Sequence, residues 1–221
     1  VMMVGVFRSK KEENVLKGIR LFEPFSKEEL GNICKIGGPT AIQGMVYCMI
    51  SMVLTRMVAA FGAEAIATQR VGGQIESVSW NTADGFAAAL NAFVGQNYGA
   101  KKMDRVQEGY RISFWTVAIW GALIMLAFII FPGPIAGVFF HEEKAMEIAI
   151  SYLIIIGFSE AFMCVELMTI GALSGLGKTK LCSVISITAT SMRIPLAMVL
   201  SRTSLGLDGI WWALTLTSVA K

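Results

Sequence analysis

The stretch that most constrains this chain runs from Val71 to Ala100, VGGQIESVSW NTADGFAAAL NAFVGQNYGA. About 20 residues at a rise of about 1.5 Å each cross the hydrocarbon of a bilayer as a helix, and this stretch is long enough. Its first half nevertheless carries Gln74, Glu76, Ser77, Ser79, Asn81, Thr82 and Asp84. Polar groups at membrane depth cost several kcal/mol unless they face protein or water. If the apolar neighbours span a membrane, this helix must line an interior.

The neighbours do read as spans. The 221 residues are 55% hydrophobic and 16% charged, with a mean hydropathy of +0.62. Soluble domains carry nearer 25% charged residues, so a polytopic membrane protein is the expected class. The net charge of +3 comes from scattered basic residues with no aromatic-interleaved patch, so no nucleic-acid partner is expected. Cys34, Cys48, Cys164 and Cys182 lack CxxC spacing and sit in or beside apolar runs, which points to buried free thiols. His141 stands alone, and no metal site is expected.

The fold class predicted is an all-α transmembrane bundle of five full spans with truncated spans at both ends. Residues 1–7 read as the end of a preceding membrane helix, and 8–36 as a cytoplasmic linker closing in an interfacial helix over Lys27–Ile36. Ser26 and Glu29 form a capping-box pattern at its start. Residues 37–221 form the membrane lobe, with spans over about 39–61, 65–97, 112–131, 145–173 and 181–201, and a last one opening near Gly209. Pro39 suits a first helical turn, and IAGVFFHEEK reads as an interfacial connection. Both termini stop in apolar runs, so the chain reads as part of a longer protein. Alternate loops divide the basic residues thirteen to four in favour of the side holding Lys101, Lys102, Lys178 and Lys180. That side is the cytoplasmic one.

Several polar residues are candidates for a site. Gln43, Tyr47, Ser51 and Thr55 recur every four residues beside Met45, Met49 and Met52. They read either as polar glue and core methionine or as a lining that repacks around different ligands. Glu76 falls about eleven residues, roughly 16 Å, from the outer end of its span. Trp80 lies one turn on, and Asn81 and Asp84 are neighbours three apart. These form either an interhelical network or a cation or proton site with Trp80 as a stacking surface. Glu160 and Glu166 lie about 120° apart on their helix, which does not support a paired acid and base. GALSGLGKT has Ala172 where a phosphate-binding loop needs its first glycine. Glu160 and Arg193, eighteen and fifteen residues from Lys178, fall at similar depths of roughly 27 and 22 Å. They are expected to pair, the alternative being that Arg193 bonds backbone carbonyls or reaches outward.

FVGQNYGAKK at 93–102, GALSGLGKT at 171–179 and RIP at 193–195 resemble segments of the multidrug and toxic compound extrusion (MATE) family. The resemblance covers essentially the whole chain, but only the family's C-terminal lobe. It implies one six-helix half of a two-lobe, inverted-V transporter, joined by its linker to an N-terminal lobe. It further implies a multi-pass protein of a bacterial cell membrane that is not an enzyme and needs no cofactor beyond a coupling ion, sodium or proton. Small organic cations would leave in exchange for that ion by alternating access, among membrane lipids. One branch of the family carries a glutamate on the first helix of this lobe and an aspartate on the fourth. Here the first span has Gln43 and Tyr47 instead, and the fourth offers Glu160 and Glu166. The candidate set for substrate or cation is thus Gln43, Tyr47, Glu76, Trp80, Asn81, Asp84, Glu160, Glu166 and Arg193. A flippase for lipid-linked oligosaccharides and a non-transporting membrane subunit are the rival readings. A membrane enzyme is disfavoured by the lack of clustered histidines or a nucleophile with its base.

Overall fold

The computed structural model describes residues 26–221. The preceding membrane helix expected over 1–7 and most of the expected linker fall outside the described residues. Within them lie eight helices and no strand: α1 (Lys27–Ala59), α2 (Ala63–Gly99), α3 (Met103–Ile130), α4 (Pro132–Phe139), α5 (Glu143–Gly175), α6 (Thr179–Ser191), α7 (Arg193–Leu200) and α8 (Leu207–Val219). Ile36–Lys221 form one compact unit, distinct from Val1–Lys35.

Lys27–Ala59, Met103–Ile130, Glu143–Gly175 and Thr179–Leu200 are each long and apolar enough to cross a membrane. Helix α2, with its polar first half, is less apolar than these four and joins the bundle by packing. Gly72 lies against Tyr152, Gly171 against Ala87, and Gly175 against Asn91 and Val94. These pairs keep a nearly constant offset in sequence, so α2 and α5 run parallel. The interval between them is spanned by α3, antiparallel to both: Gly109 meets Phe93, Gly121 meets Ala161, and Gly157 meets Phe128. Helix α8 also runs parallel to α5, where Thr215 Oγ1 donates to the Ile155 carbonyl at 2.8 Å. Short α7 returns antiparallel to α8, with Gly209 seated on the Leu200 backbone.

Helix α5 is the hub. One apolar cluster surrounds its first half (Tyr152, Leu153, Ile156) with α4 and Trp211 of α8. A second joins its other half (Cys164, Met168, Ala172) to Leu90 and Val94 of α2 and Val117 of α3. A third lies away from α5 and ties Ile50, Leu54 and Val58 of α1 to Ala65, Ala197 and Ile210. The parallel run of α2 and α5 brings the Lys101–Lys102 and Lys178–Lys180 turns to one end of the bundle. The starts of α2 and α5 meet at the other, where Lys144 Nζ lies 3.5 Å from Glu64 Oε1. The shared end of the basic turns matches the alternation expected from the charge count.

Four expectations need correction. The interfacial helix and the first span are one continuous helix, with Pro39 inside α1 rather than in its first turn. A nucleated helix extends at little cost per residue, and helices at membrane depth tolerate a proline whose lost bond neighbours can offset. Part of the IAGVFFHEEK connection is helical, because Pro132 at the start of α4 supplies a preset backbone angle where no donor is needed. The span over 181–201 is divided at Met192. Pro195 has no N–H to give to Ser191, four residues back, so the ladder is interrupted and restarts at Arg193. Of the cysteines, Cys164 and Cys182 are buried, but Cys34 and Cys48 are exposed free thiols.

Candidate functional site

A cavity of about 890 Å³ opens between α1, α2, α5, α6, α7 and α8. The four-residue stripe of α1 puts Gln43, Tyr47 and Ser51 on its wall, while Thr55 has drifted off it. Helix α2 contributes Gln74, Glu76 and Trp80. Glu76 and Trp80 are one turn apart and share a face. Counted from Ala63, Glu76 is thirteen residues, about 20 Å, along α2, deeper than its span boundary suggested. Tyr152, Ser159 and Glu166 come from α5, Thr190 and Arg193 from the break between α6 and α7, and Ser218 from α8.

The Tyr152 hydroxyl donates to Glu76 Oε1 across the α2–α5 contact. Two features place that ring. Trp211 meets it edge-on, with centroids 5.0 Å apart. On the other side is Gly72, where any Cβ would run into the tyrosine ring. The glycine of VGGQIE thus makes room for the side chain that holds the Glu76 carboxylate. Only one Glu76 oxygen is engaged this way, and the other has no hydrogen-bond partner among the described residues. A carboxylate beside an indole face suits a cation or a proton.

Arg193 does not pair with Glu160. Its Nε donates to Thr217 Oγ1 at 3.2 Å and its Nη2 to Ser218 Oγ at 2.9 Å, both on α8. Equal depth was the basis for expecting the pair, but depth leaves the azimuth open, and Arg193 points at α8. Glu160 is fully buried behind the cavity wall, and neither of its carboxyl oxygens has a hydrogen-bond partner among the described residues. Glu166 does line the cavity and forms an ion pair with Lys221.

Of the nine candidates, Gln43, Tyr47, Glu76, Trp80, Glu166 and Arg193 meet in one cavity. Asn81, Asp84 and Glu160 lie off it. At 100° per residue, Asn81 is turned about 140° and Asp84 about 80° from Glu76, and both are exposed. Tyr152 was missed in the sequence. A tyrosine in the aliphatic run SYLIII was the available signal, but its use depended on knowing that α2 and α5 are parallel.

Apolar helices enclosing a ligand-sized, charge-bearing cavity define a polytopic membrane protein with an internal binding space. The chain belongs to the MatE family, whose family model matches residues 39–199. It is 29% identical over 95% of its length to the probable multidrug resistance protein NorM of Thermotoga maritima, covering 45% of that protein. It is 26% identical over 96% of its length to the probable multidrug resistance protein YoeA of Bacillus subtilis, covering 46%. Among solved structures, the bent form of the Vibrio cholerae MATE transporter VcmN superposes with a TM-score of 0.81 at 20% identity, over 94% of this chain and 46% of that one. The chain therefore spans about half the length of the curated relatives it matches.

Proposed function

We propose that this chain is the C-terminal lobe of an exporter that carries organic cations out of the cell in exchange for protons or sodium ions. The supporting observation is the 890 Å³ cavity with Glu76, Trp80, Tyr47 and Gln43 on its walls. That volume suits a drug-sized ligand, and a carboxylate with an aromatic face is the chemistry that holds an ammonium. A transport role fits this lining better than a catalytic one, because no nucleophile with its base stands on the cavity wall among the described residues. In this reading, cation and substrate compete for the space between two lobes and shift an inward–outward equilibrium in a cell membrane. The relatives named as multidrug resistance proteins support the same reading.

Vesicles containing the full-length protein, with proton and sodium gradients imposed separately, test it. Uptake of an ethidium-type cation should follow one gradient and fall at least tenfold in Glu76→Gln with expression unchanged. Transport indifferent to both gradients would overturn the exchange, and unaltered kinetics in Glu76→Gln would remove Glu76 from the site.

A further inference from the structure

The charges on the cavity wall do not describe a purely cationic ligand. Five charged residues line it: Arg70, Glu76, Glu166, Arg193 and Lys221. Glu166 and Lys221 neutralise each other as an ion pair. Arg70 lies seven residues from the start of α2 and is exposed at the rim. The interior is left with one carboxylate, Glu76, and one guanidinium, Arg193, and no salt bridge joins them to each other or to another charge among the described residues.

The hydrogen bonds of Arg193 say which part of it is free. Nε and Nη2 form one side of the guanidinium fork, and that side is taken by Thr217 Oγ1 and Ser218 Oγ. Thr217 is itself fixed, because its hydroxyl donates to the Ala213 carbonyl at 2.7 Å. Its lone pair is thereby turned to the arginine. These hydroxyls hold the guanidinium in place without cancelling its charge. The end-on side of the fork, with Nη1, has no hydrogen-bond partner among the described residues and belongs to a residue on the cavity wall. A planar guanidinium edge is matched by a carboxylate, which takes two parallel hydrogen bonds.

We propose that Arg193 is a carboxylate-binding subsite of this cavity, so that its preferred ligands are zwitterions: an amine or delocalised cation toward Glu76 and Trp80, and a carboxylate on Arg193. This rests on the reading of the cavity as a drug site and narrows its substrate class. A ligand with both charges satisfies both fixed groups, whereas a simple cation leaves the guanidinium facing an apolar body.

The test uses a rhodamine bearing a free carboxylate and its methyl ester, which share the cationic ring system and differ only in the anion. Binding to the detergent-solubilised full-length protein is followed by fluorescence polarisation. The free acid should bind about tenfold or more tighter than the ester, the range of a hydrogen bond to a charged group. Arg193→Gln should bring the two affinities within about threefold of each other by weakening the acid and leaving the ester unchanged. Arg193→Lys, which keeps the charge but loses the fork, should narrow the preference without erasing it. Should Arg193→Gln fail to fold, Arg193→Lys decides alone, with a narrowed preference supporting the subsite and an unchanged one rejecting it. Equal binding of both dyes by the parent protein, or a preference that survives Arg193→Gln, overturns the subsite while leaving the drug cavity intact. Binding of neither dye overturns the cavity reading and the subsite with it.

Discussion

Helices α1 and α5 are each 33 residues long and apolar enough to cross a membrane, yet they do opposite work. Half of the apolar window of α5 is buried, against 17% for α1. Buried residues occur all along α5, from Ala145 to Ala172, while those of α1 are only Ile50, Leu54 and Val58, all in its second half. Their sequences explain the contrast. In α5, Gly157 and Gly171 let α3 and α2 approach closely at two different depths, so it is wrapped by neighbours. The glycines of α1, Gly31, Gly37, Gly38 and Gly44, have no atom near enough to meet an added Cβ. Its exposed flank carries Met45, Met49 and Met52 instead. Hydropathy alone does not distinguish a strut from a wall. The glycines that make close approach possible do.

The sharpest way to break this contrast is at the glycines. A Cβ at Gly171 would lie 2.5 Å from the Ala87 carbonyl oxygen, with backbone on the other side that cannot give way. Gly171→Leu should leave no folded protein in the membrane fraction. Gly171→Ala should cost about 1–3 kcal/mol or more in thermal unfolding of the full-length protein. Gly44→Ala should be neutral or gain up to about 1 kcal/mol through backbone entropy. Equal losses at the two positions would show that α1 is packed as closely as α5 in the complete protein.

Methionines give the next test. Met168 of α5 is fully buried and Met49 of α1 is 67% exposed. Met168→Ala should cost about 2–5 kcal/mol by leaving a cavity against Val94 and Val117. Met49→Ala should stay within about 0.5 kcal/mol in unfolding measured by the same melt. A large loss at Met49 would mean that another part of the full-length protein covers that flank.

Much of this was legible beforehand, for reasons that also mark the limits. The five apolar or polar spans and the common end of Lys101 and Lys178 follow from length, periodicity and charge, which are properties of one helix at a time. Of the polar stretch of α2, Gln74, Glu76 and Trp80 stand on an interior wall, whereas Asn81 and Asp84 are exposed off it. What could not be read was azimuth between helices. Glu160 and Arg193 were matched by depth, but the break at Met192 turns Arg193 to Thr217 and Ser218. The partner of Glu76, Tyr152, is 76 residues away on a parallel helix. No spacing rule connects the two.

That contact separates stability from binding within the site. Tyr152→Phe keeps the ring against Trp211 and Gly72 and loses only the hydroxyl bond to Glu76. It should cost about 0.5–1.5 kcal/mol of stability. Cation affinity should change less than in Glu76→Gln, read by dye titration. A Tyr152→Phe variant as impaired in binding as Glu76→Gln would make the tyrosine part of the ligand site rather than its support.

The smallest effect is expected where the same two helices meet at their other ends. Lys144 and Glu64 join the starts of α5 and α2 at 3.5 Å, with the lysine side chain 73% exposed. The Glu64 carboxyl is held below its ordinary value of 4.5, first by its own backbone N–H in the opening turn of α2 and then by the Lys144 charge. A carboxyl lowered in the folded state adds stability above its unfolded value and loses it as pH falls through the lower folded value. Any such contribution is therefore present at neutral pH and disappears only in acid. Exposure and salt screen it heavily. Lys144→Ala should move the Glu64 titration, followed by carbon NMR of labelled glutamate, only part of the way back, since the backbone hydrogen bond remains. The melting temperature should not change measurably at neutral pH. A clear drop would mean that this rim contact, and not the glycine seam at Gly171, holds α2 on α5.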